Sequence, residues 1–201
     1  MSIAVKRIIF ATGNAGKMRE IREILADFGG EILSMKEAGI STDAEENGAS
    51  YEENALIKAR AVAEKAGDAV VLADDSGLEI DALGGEPGIY SARYMGEDTS
   101  YDIKNQTLLD RLEGVPDEKR TARFVCAIAA AMPDGSCEVV RGTMEGIIGH
   151  EIAGENGFGY DPIFFLPEYG CTSAELSPEK KNELSHRGEG LRKIRKILEH
   201  K

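Results

Sequence analysis

Apolar positions along this chain recur at two periods, and each change of period marks an element. The run Ile8-Ile9-Phe10-Ala11 predicts a buried strand over residues 3–11. After Thr12-Gly13-Asn14-Ala15-Gly16-Lys17, the residues Ile21, Ile24, Leu25 and Phe28 recur at helical spacing and predict a helix over 17–28. A short strand is expected at Glu31-Ile32-Leu33-Ser34-Met35, followed by an acidic turn, Asp43-Ala44-Glu45-Glu46-Asn47-Gly48. Ser50 and Glu53 stand at capping-box spacing and open a helix expected to run to about Ala66. Its buried stripe would be Tyr51, Ala55, Ala59, Val62 and Ala66, with Leu56 and Ala63 beside it. Ala69-Val70-Val71-Leu72-Ala73 shows no alternation and so predicts a central strand covered on both faces.

The second half reads differently. A glycine-rich surface segment (Gly84, Gly85, Gly88) precedes a helix from about Thr99 to Glu113. Residues 121–132 and 138–144, joined by Pro133-Asp134-Gly135-Ser136, predict a long β-hairpin. A glycine-rich loop from Gly154 to Gly159 leads into Pro162-Ile163-Phe164-Phe165-Leu166, and a basic helix with Leu191, Ile194 and Leu198 on one face follows. Helices alternate with strands early and a hairpin adds antiparallel pairing later. The expectation is a mixed α/β sheet with two lobes and a cleft, and 201 residues suffice for a single domain of that kind.

Composition narrows the classes. An apolar fraction of 42% with charges of both signs indicates a soluble globular protein. No apolar run reaches the ~18–20 residues of a membrane span, and no signal-peptide pattern follows Lys6-Arg7. Cys126, Cys137 and Cys171 lack CxxC spacing, so neither a zinc knuckle nor a disulfide framework is suggested, and a cytoplasmic location is expected. The net charge of −12 argues against a nucleic-acid groove. A protein this acidic must gather lysine and arginine at a site, or bring in a metal cation, to hold polyphosphate.

Candidate chemistry lies in four places. The Thr12–Lys17 turn stands between a strand and a helix N-terminus, where unpaired N–H groups and the helix dipole suit a phosphate. It matches neither the Walker A spacing nor the dinucleotide fingerprint, and an ordinary strand-to-helix connection is the plainer reading. Asp74-Asp75-Ser76-Gly77 follows the apolar strand directly, at the end where open α/β sheets place ligands. One carboxylate would face a cleft and the other would structure the turn; alternatively both belong to a solvated Asx turn. Asp75 with a carboxylate from the acidic turn, Glu46, would satisfy magnesium, which needs only one or two. Lys181, Ser185, His186 and Arg187 would gather on about two turns of helix and suit an anionic or carbonyl-bearing ligand, unless they are only a basic helix end. Gly157-Phe158-Gly159-Tyr160-Asp161-Pro162 either exposes a ring for stacking on a base or sends a core aromatic into a strand. No nucleophilic triad is visible, and neither His150 nor His200 suggests a catalytic role.

Taken in order, Thr12-Gly13-Asn14…Lys17, Glu53-Asn54-Ala55…Lys58-Ala59, Asp74-Asp75-Ser76-Gly77-Leu78, Pro87-Gly88-Ile89-Tyr90-Ser91-Ala92-Arg93-Tyr94, Gly157–Pro162 and Ser185-His186-Arg187 carry a resemblance. The chain resembles the Ham1/RdgB family of nucleoside-triphosphate pyrophosphatases, housecleaning enzymes acting on inosine and xanthosine triphosphates. A minor departure is Ser50-Tyr51, where many members have Thr-Phe.

The resemblance implies an elongated α/β fold with a long mixed sheet, flanking helices, two lobes and an active cleft between them, of the inosine-triphosphatase/Maf-like kind. It implies a homodimer that needs Mg²⁺ and cleaves between the α- and β-phosphates. On that resemblance Thr12, Gly13, Asn14, Ala15, Gly16 and Lys17 hold the polyphosphate, and Lys58 adds a second positive charge. Asp75 is catalytic base and metal ligand, Glu46 a second ligand, and Ser76 a substrate contact. Phe158 stacks on the base, Gly159, Tyr160 and Asp161 complete that wall, and Lys181, His186 and Arg187 read the base edge. Donors there would accept the C6 carbonyl of hypoxanthine or xanthine and clash with the amino group of adenine. The rival readings are a non-catalytic nucleotide sensor, a pyrophosphatase for modified pyrimidine nucleotides, and a scaffold. Asp75, the Ser185–Arg187 block and the gathering of charges with a stacking ring speak against them in turn.

Overall fold

The structure, a computed structural model, describes residues 5–42 and 44–200. Residues 3 and 4 of the first expected strand, and Asp43 of the acidic turn, lie outside the described residues. Seven strands form one sheet in the order β2-β1-β3-β4-β5-β6-β7. These are β1 (Arg7–Phe10), β2 (Glu31–Ser34), β3 (Val70–Ile80), β4 (Thr121–Ala131), β5 (Cys137–Ile148), β6 (Phe164–Leu166) and β7 (Cys171–Thr172). β1 pairs in parallel with β2 and β3, Ile9 lying opposite Leu33 and Val71, whereas β5–β6 and β6–β7 are antiparallel. The expected mixed α/β sheet is therefore present.

The chain divides into two compact units. The first comprises Met1–Asp75, Cys126–Gly142 and His186–Lys201. In it Ile8 and Phe10 of β1 and Val70 and Leu72 of β3 share an apolar cluster with Met18, Ile21 and Leu25 of the α1 segment and Leu191, Ile194 and Leu198 of α5. α1 spans Ala15–Ile24 and α5 spans His186–Glu199. Each such aliphatic side chain contributes ~1.5–3 kcal/mol when fully buried, so three on one stripe suffice to dock α5. α2 (Tyr51–Ala63) buries Tyr51, Ala55, Ala59 and Val62 of the expected stripe and adds Asn54, but it ends before Ala66, which is half-buried. Its Ser50 hydroxyl accepts from the Glu53 N–H at 3.2 Å, while the Glu53 carboxylate accepts from Ala49 rather than from Ser50. Gly142 of β5 lies so close to the His186 carbonyl that any side chain there would collide with the start of α5.

The second unit comprises Ser76–Val125 and Thr143–Ser185. Leu78 and Ile80 of β3 pack with Leu108, Leu109 and Leu112 in and just after α3 (Tyr101–Arg111), with Phe124 of β4, and with Ile163 and Phe164. Arg120 is buried and donates to the carbonyls of Leu112, Val115, Ile148 and Gly149, tying α3, β4 and β5 together. α4 (Pro178–Leu184) ends at Ser185, whose φ of −71° and ψ of 153° are extended. The single basic helix expected to carry Lys181 through Arg187 is therefore two helices, and the break falls where one unit ends and the other begins.

Candidate functional site

In the first unit, the turn after β1 is organised by its own short side chains. The Thr12 hydroxyl accepts from the Asn14 N–H at 3.1 Å, and the Asn14 side chain caps α1 by accepting from Lys17 N–H at 3.0 Å. The first N–H groups of α1, those of Ala15 and Gly16, have no acceptor within the helix. Gly13, Asn14 and Ala15 are exposed, and a Cβ placed at Gly13 would meet nothing within 4 Å, so the outside of the turn is open. Lys17 leans back from it, its ammonium 3.1 Å from the Asp74 carboxylate.

Asp74 and Asp75 lie within β3, not in a turn at its end. In extended chain consecutive side chains point to opposite faces, and these two accept from different donors. Asp74 receives Arg187 Nη2 and Nε at 3.1 and 3.3 Å, with Cys126 Sγ at 4.0 Å. Asp75 receives Asn54 Nδ2 at 3.3 Å and stands 3.6 Å from the Lys58 ammonium. Asn54 and Lys58 are one helical turn apart on α2, which is why both reach the same carboxylate. Glu46 lies 3.3 Å from that same ammonium. The acidic turn thus brings a second carboxylate to Lys58.

Burial pushes the Asp75 carboxyl up to about 6, with Glu46 adding repulsion and Lys58, Lys17 and Asn54 opposing. Burial works to lower Lys58, but Asp74, Asp75 and Glu46 outweigh it and hold the ammonium above its ordinary value. An unfolded aspartate titrates near ~3.9. Between that pH and about 6 the native state binds the extra proton, so Asp75 makes folding less favourable as pH rises through this window. Without divalent metal, Asp75→Asn is expected to raise Tm at pH 7 by roughly 5 °C, with the gain vanishing near pH 4. Thermal melts at the two pH values check this; an equal gain at both would place its origin elsewhere.

The second unit holds the aromatic motif. Gly157 and Gly159 take φ of 73° and 65°, a region that admits glycine readily, and between them Phe158 is half-buried. Asp161 is buried and accepts from Phe158 N–H at 2.9 Å, from Ser173 Oγ at 2.7 Å and from Lys181 Nζ at 2.5 Å. The Lys181 ammonium also lies 5.0 Å from the centre of the Phe158 ring. Asp161 therefore supports the loop from behind. Tyr160 is a core residue whose hydroxyl donates to Ser91 O at 2.6 Å and whose ring meets Tyr101 edge-on. Neither forms a wall open to a base. Ser76, half-buried, follows Asp75 on β3.

The residues expected to gather on one basic helix fall on two helices. Lys181 belongs with Asp161 and Phe158, while His186 and Arg187 are buried at the start of α5 in the other unit. The Arg187 guanidinium, read from sequence as facing a base edge, is 2% exposed and donates to Glu20 and Asp74. Sequence reasoning missed two residues, Glu20 and Asn54. Each had a signal in spacing: Glu20 stands three residues after Lys17, and Asn54 four before Lys58.

The Ham1 family profile matches residues 8–197. A dITP/XTP pyrophosphatase of Desulforamulus reducens is 50% identical over 192 residues, covering 96% of this chain and 95% of that protein. One of Bacillus subtilis is 48% identical over 197 residues, 98% of this chain and 99% of its own length. The solved structure of the Staphylococcus aureus Ham1 protein superposes with a TM-score of 0.84 at 43% identity, covering 97% of this chain and 99% of that one.

Proposed function

Since this chain belongs to the Ham1 family, we propose that Asp75, the Thr12–Lys17 turn, Lys58 and Glu46 form the reaction centre of a magnesium-dependent enzyme cleaving the α–β phosphoanhydride bond. The chain is a nucleoside-triphosphate pyrophosphatase, acting on non-standard purine nucleoside triphosphates. The finer reading is that inosine, deoxyinosine and xanthosine triphosphates yield the monophosphate and pyrophosphate. The observation that carries it is Asp75: a buried carboxylate, held by Asn54, between the ammonium of Lys58 and the charge of Glu46.

A carboxyl raised to about 6 is still largely ionised at neutral pH yet accepts a proton more readily than an ordinary aspartate. Asp75 would take a proton from a water oxygen as that oxygen bonds to the phosphorus and pyrophosphate leaves. The first N–H groups of α1 and Lys17 would hold the β- and γ-phosphate oxygens, where negative charge develops on the leaving group. The donor set suits magnesium: two carboxylates, Asp75 and Glu46, converge on one ammonium. Magnesium usually takes only one or two carboxylates and completes its shell with water and substrate oxygens. When bound, Mg²⁺ would neutralise charge on the phosphate oxygens.

In the second unit the Phe158 ring would stack on the base, with Lys181 beside it. The family resemblance supports a homodimer and a cytoplasmic location; no helix among the described residues is long and apolar enough to cross a membrane. The deciding experiment is pyrophosphate release from a nucleotide panel with and without Mg²⁺. Release from dITP, ITP and XTP only with the metal is expected, and comparable release from ATP or from modified pyrimidine nucleotides would overturn the assignment.

Lys17→Ala isolates the phosphate role. It should raise KM and lower kcat together, reducing kcat/KM for dITP by ~10²-fold, because the charge acts on ground state and transition state alike. Binding of the monophosphate product should weaken much less. Equal losses for triphosphate and monophosphate would remove Lys17 from the β- and γ-phosphates.

A further inference from the structure

Behind the phosphate turn, four charged side chains of the first unit form a chain of ion pairs whose two ends stand on the same helix. Glu20 and Lys17 both project from α1, three residues apart. Glu20 Oε2 accepts from Arg187 Nη1 at 2.5 Å. Arg187 passes the contact on to Asp74 Oδ2 through Nη2 and Nε. Asp74 in turn holds Lys17 Nζ at 3.1 Å. Three of the four side chains are almost fully enclosed, at 5% exposure for Glu20, 2% for Arg187 and 1% for Asp74, whereas Lys17 keeps 17%. The chain of ion pairs is thus buried except at one end, and that end is the ammonium beside the open turn.

A set of buried ion pairs is weak grounds for stability, since desolvation offsets most of the attraction. What such a set does supply is a fixed position. A free lysine samples many rotamers, and ordering it for each substrate opposes binding. Charges alternate in sign along this chain of ion pairs, so Arg187 and Asp74 are each held from both sides and Asp74 is fixed where it meets Lys17. We propose that Glu20, acting through Arg187 and Asp74, is a positioning residue for Lys17: it sets where the ammonium stands before the triphosphate arrives. The proposal rests on the reading of Lys17 as a triphosphate ligand.

A double-mutant cycle in dITP hydrolysis tests it. Glu20→Gln keeps size and an acceptor for Arg187 but removes the charge that balances the guanidinium. Expected is a ~10-fold rise in KM with a smaller fall in kcat, the pattern of Lys17→Ala on a reduced scale. In a Lys17→Ala background the same substitution should change kcat/KM by less than ~2-fold, because its target is gone. Should Glu20→Gln not fold, Glu20→Asp, which keeps the charge and withdraws it by one methylene, runs through the same cycle. If the Glu20 substitution costs the same in both backgrounds, it acts on something other than Lys17 and the proposal falls while the phosphate reading stands. If Lys17→Ala alone leaves kcat/KM within ~2-fold, the phosphate reading falls and takes the proposal with it.

Discussion

Asp75→Asn is expected to reduce turnover of dITP by ~10³-fold or more while the triphosphate still binds. The amide matches the carboxylate in size and keeps an oxygen for Asn54, so the neighbourhood of Lys58 is preserved. What is lost is the negative charge that takes the proton and, with Glu46, would hold the metal. Single-turnover measurement of pyrophosphate release separates the two effects: the chemical step should collapse, and binding of a non-hydrolysable triphosphate should change by no more than ~10-fold. Turnover within tenfold of the parent would remove Asp75 from the role of base. Combined with the gain in Tm expected for the metal-free protein, this variant would be an inactive enzyme more stable than its parent, as befits a carboxylate kept charged against its surroundings.

Arg187→Ala should act mainly on the fold. It leaves Glu20 and Asp74 buried without the guanidinium that joins them, and removing one partner of a buried ion pair costs about 3–5 kcal/mol. For a chain of this size that corresponds to a fall in Tm of ~10 °C. At a temperature where the variant is still folded, pyrophosphate release from dITP and from ATP should decline in parallel. A residue that read the C6 carbonyl would behave otherwise, lowering dITP by ~10²-fold and ATP far less. The ratio of the two nucleotides is therefore the decisive readout, and a tenfold narrowing would return Arg187 to the base edge.

Much of the fold was legible because it rests on local signals. The periodicity of Ile21 and Leu25, the Ser50 cap and the unbroken run Ala69–Ala73 are properties of short windows, and each element appeared where its window stood. The capped helix that carries Lys58 was also legible, from the Ser50–Glu53 spacing. What could not be read was the pairing of charges far apart in the chain. Arg187 meets Asp74 across 113 residues and Glu20 across 167, and no periodicity links such positions. Its neighbours in sequence suggested a role beside Lys181, but one extended residue, Ser185, separates them into different helices. Asp74-Asp75-Ser76-Gly77 misled in the opposite way: turn-forming residue types lie inside a strand, where ion pairs and burial override local preference.

The alternation of charge around Lys17 and Lys58 bears on how a substrate reaches the protein. Lys17, Lys58 and Arg187 are matched there by Glu20, Glu46, Asp74 and Asp75, three cations against four carboxylates, so this region offers a distant anion no net attraction. The whole chain, at −12, repels it. Bare triphosphate and protein would therefore meet slowly at low ionic strength and faster as salt shortens the reach of the repulsion, opposite to the usual behaviour of a phosphate site set in a basic surface. A triphosphate that arrives already carrying its divalent cation sheds about half its charge, and its encounter rate should depend much less on salt.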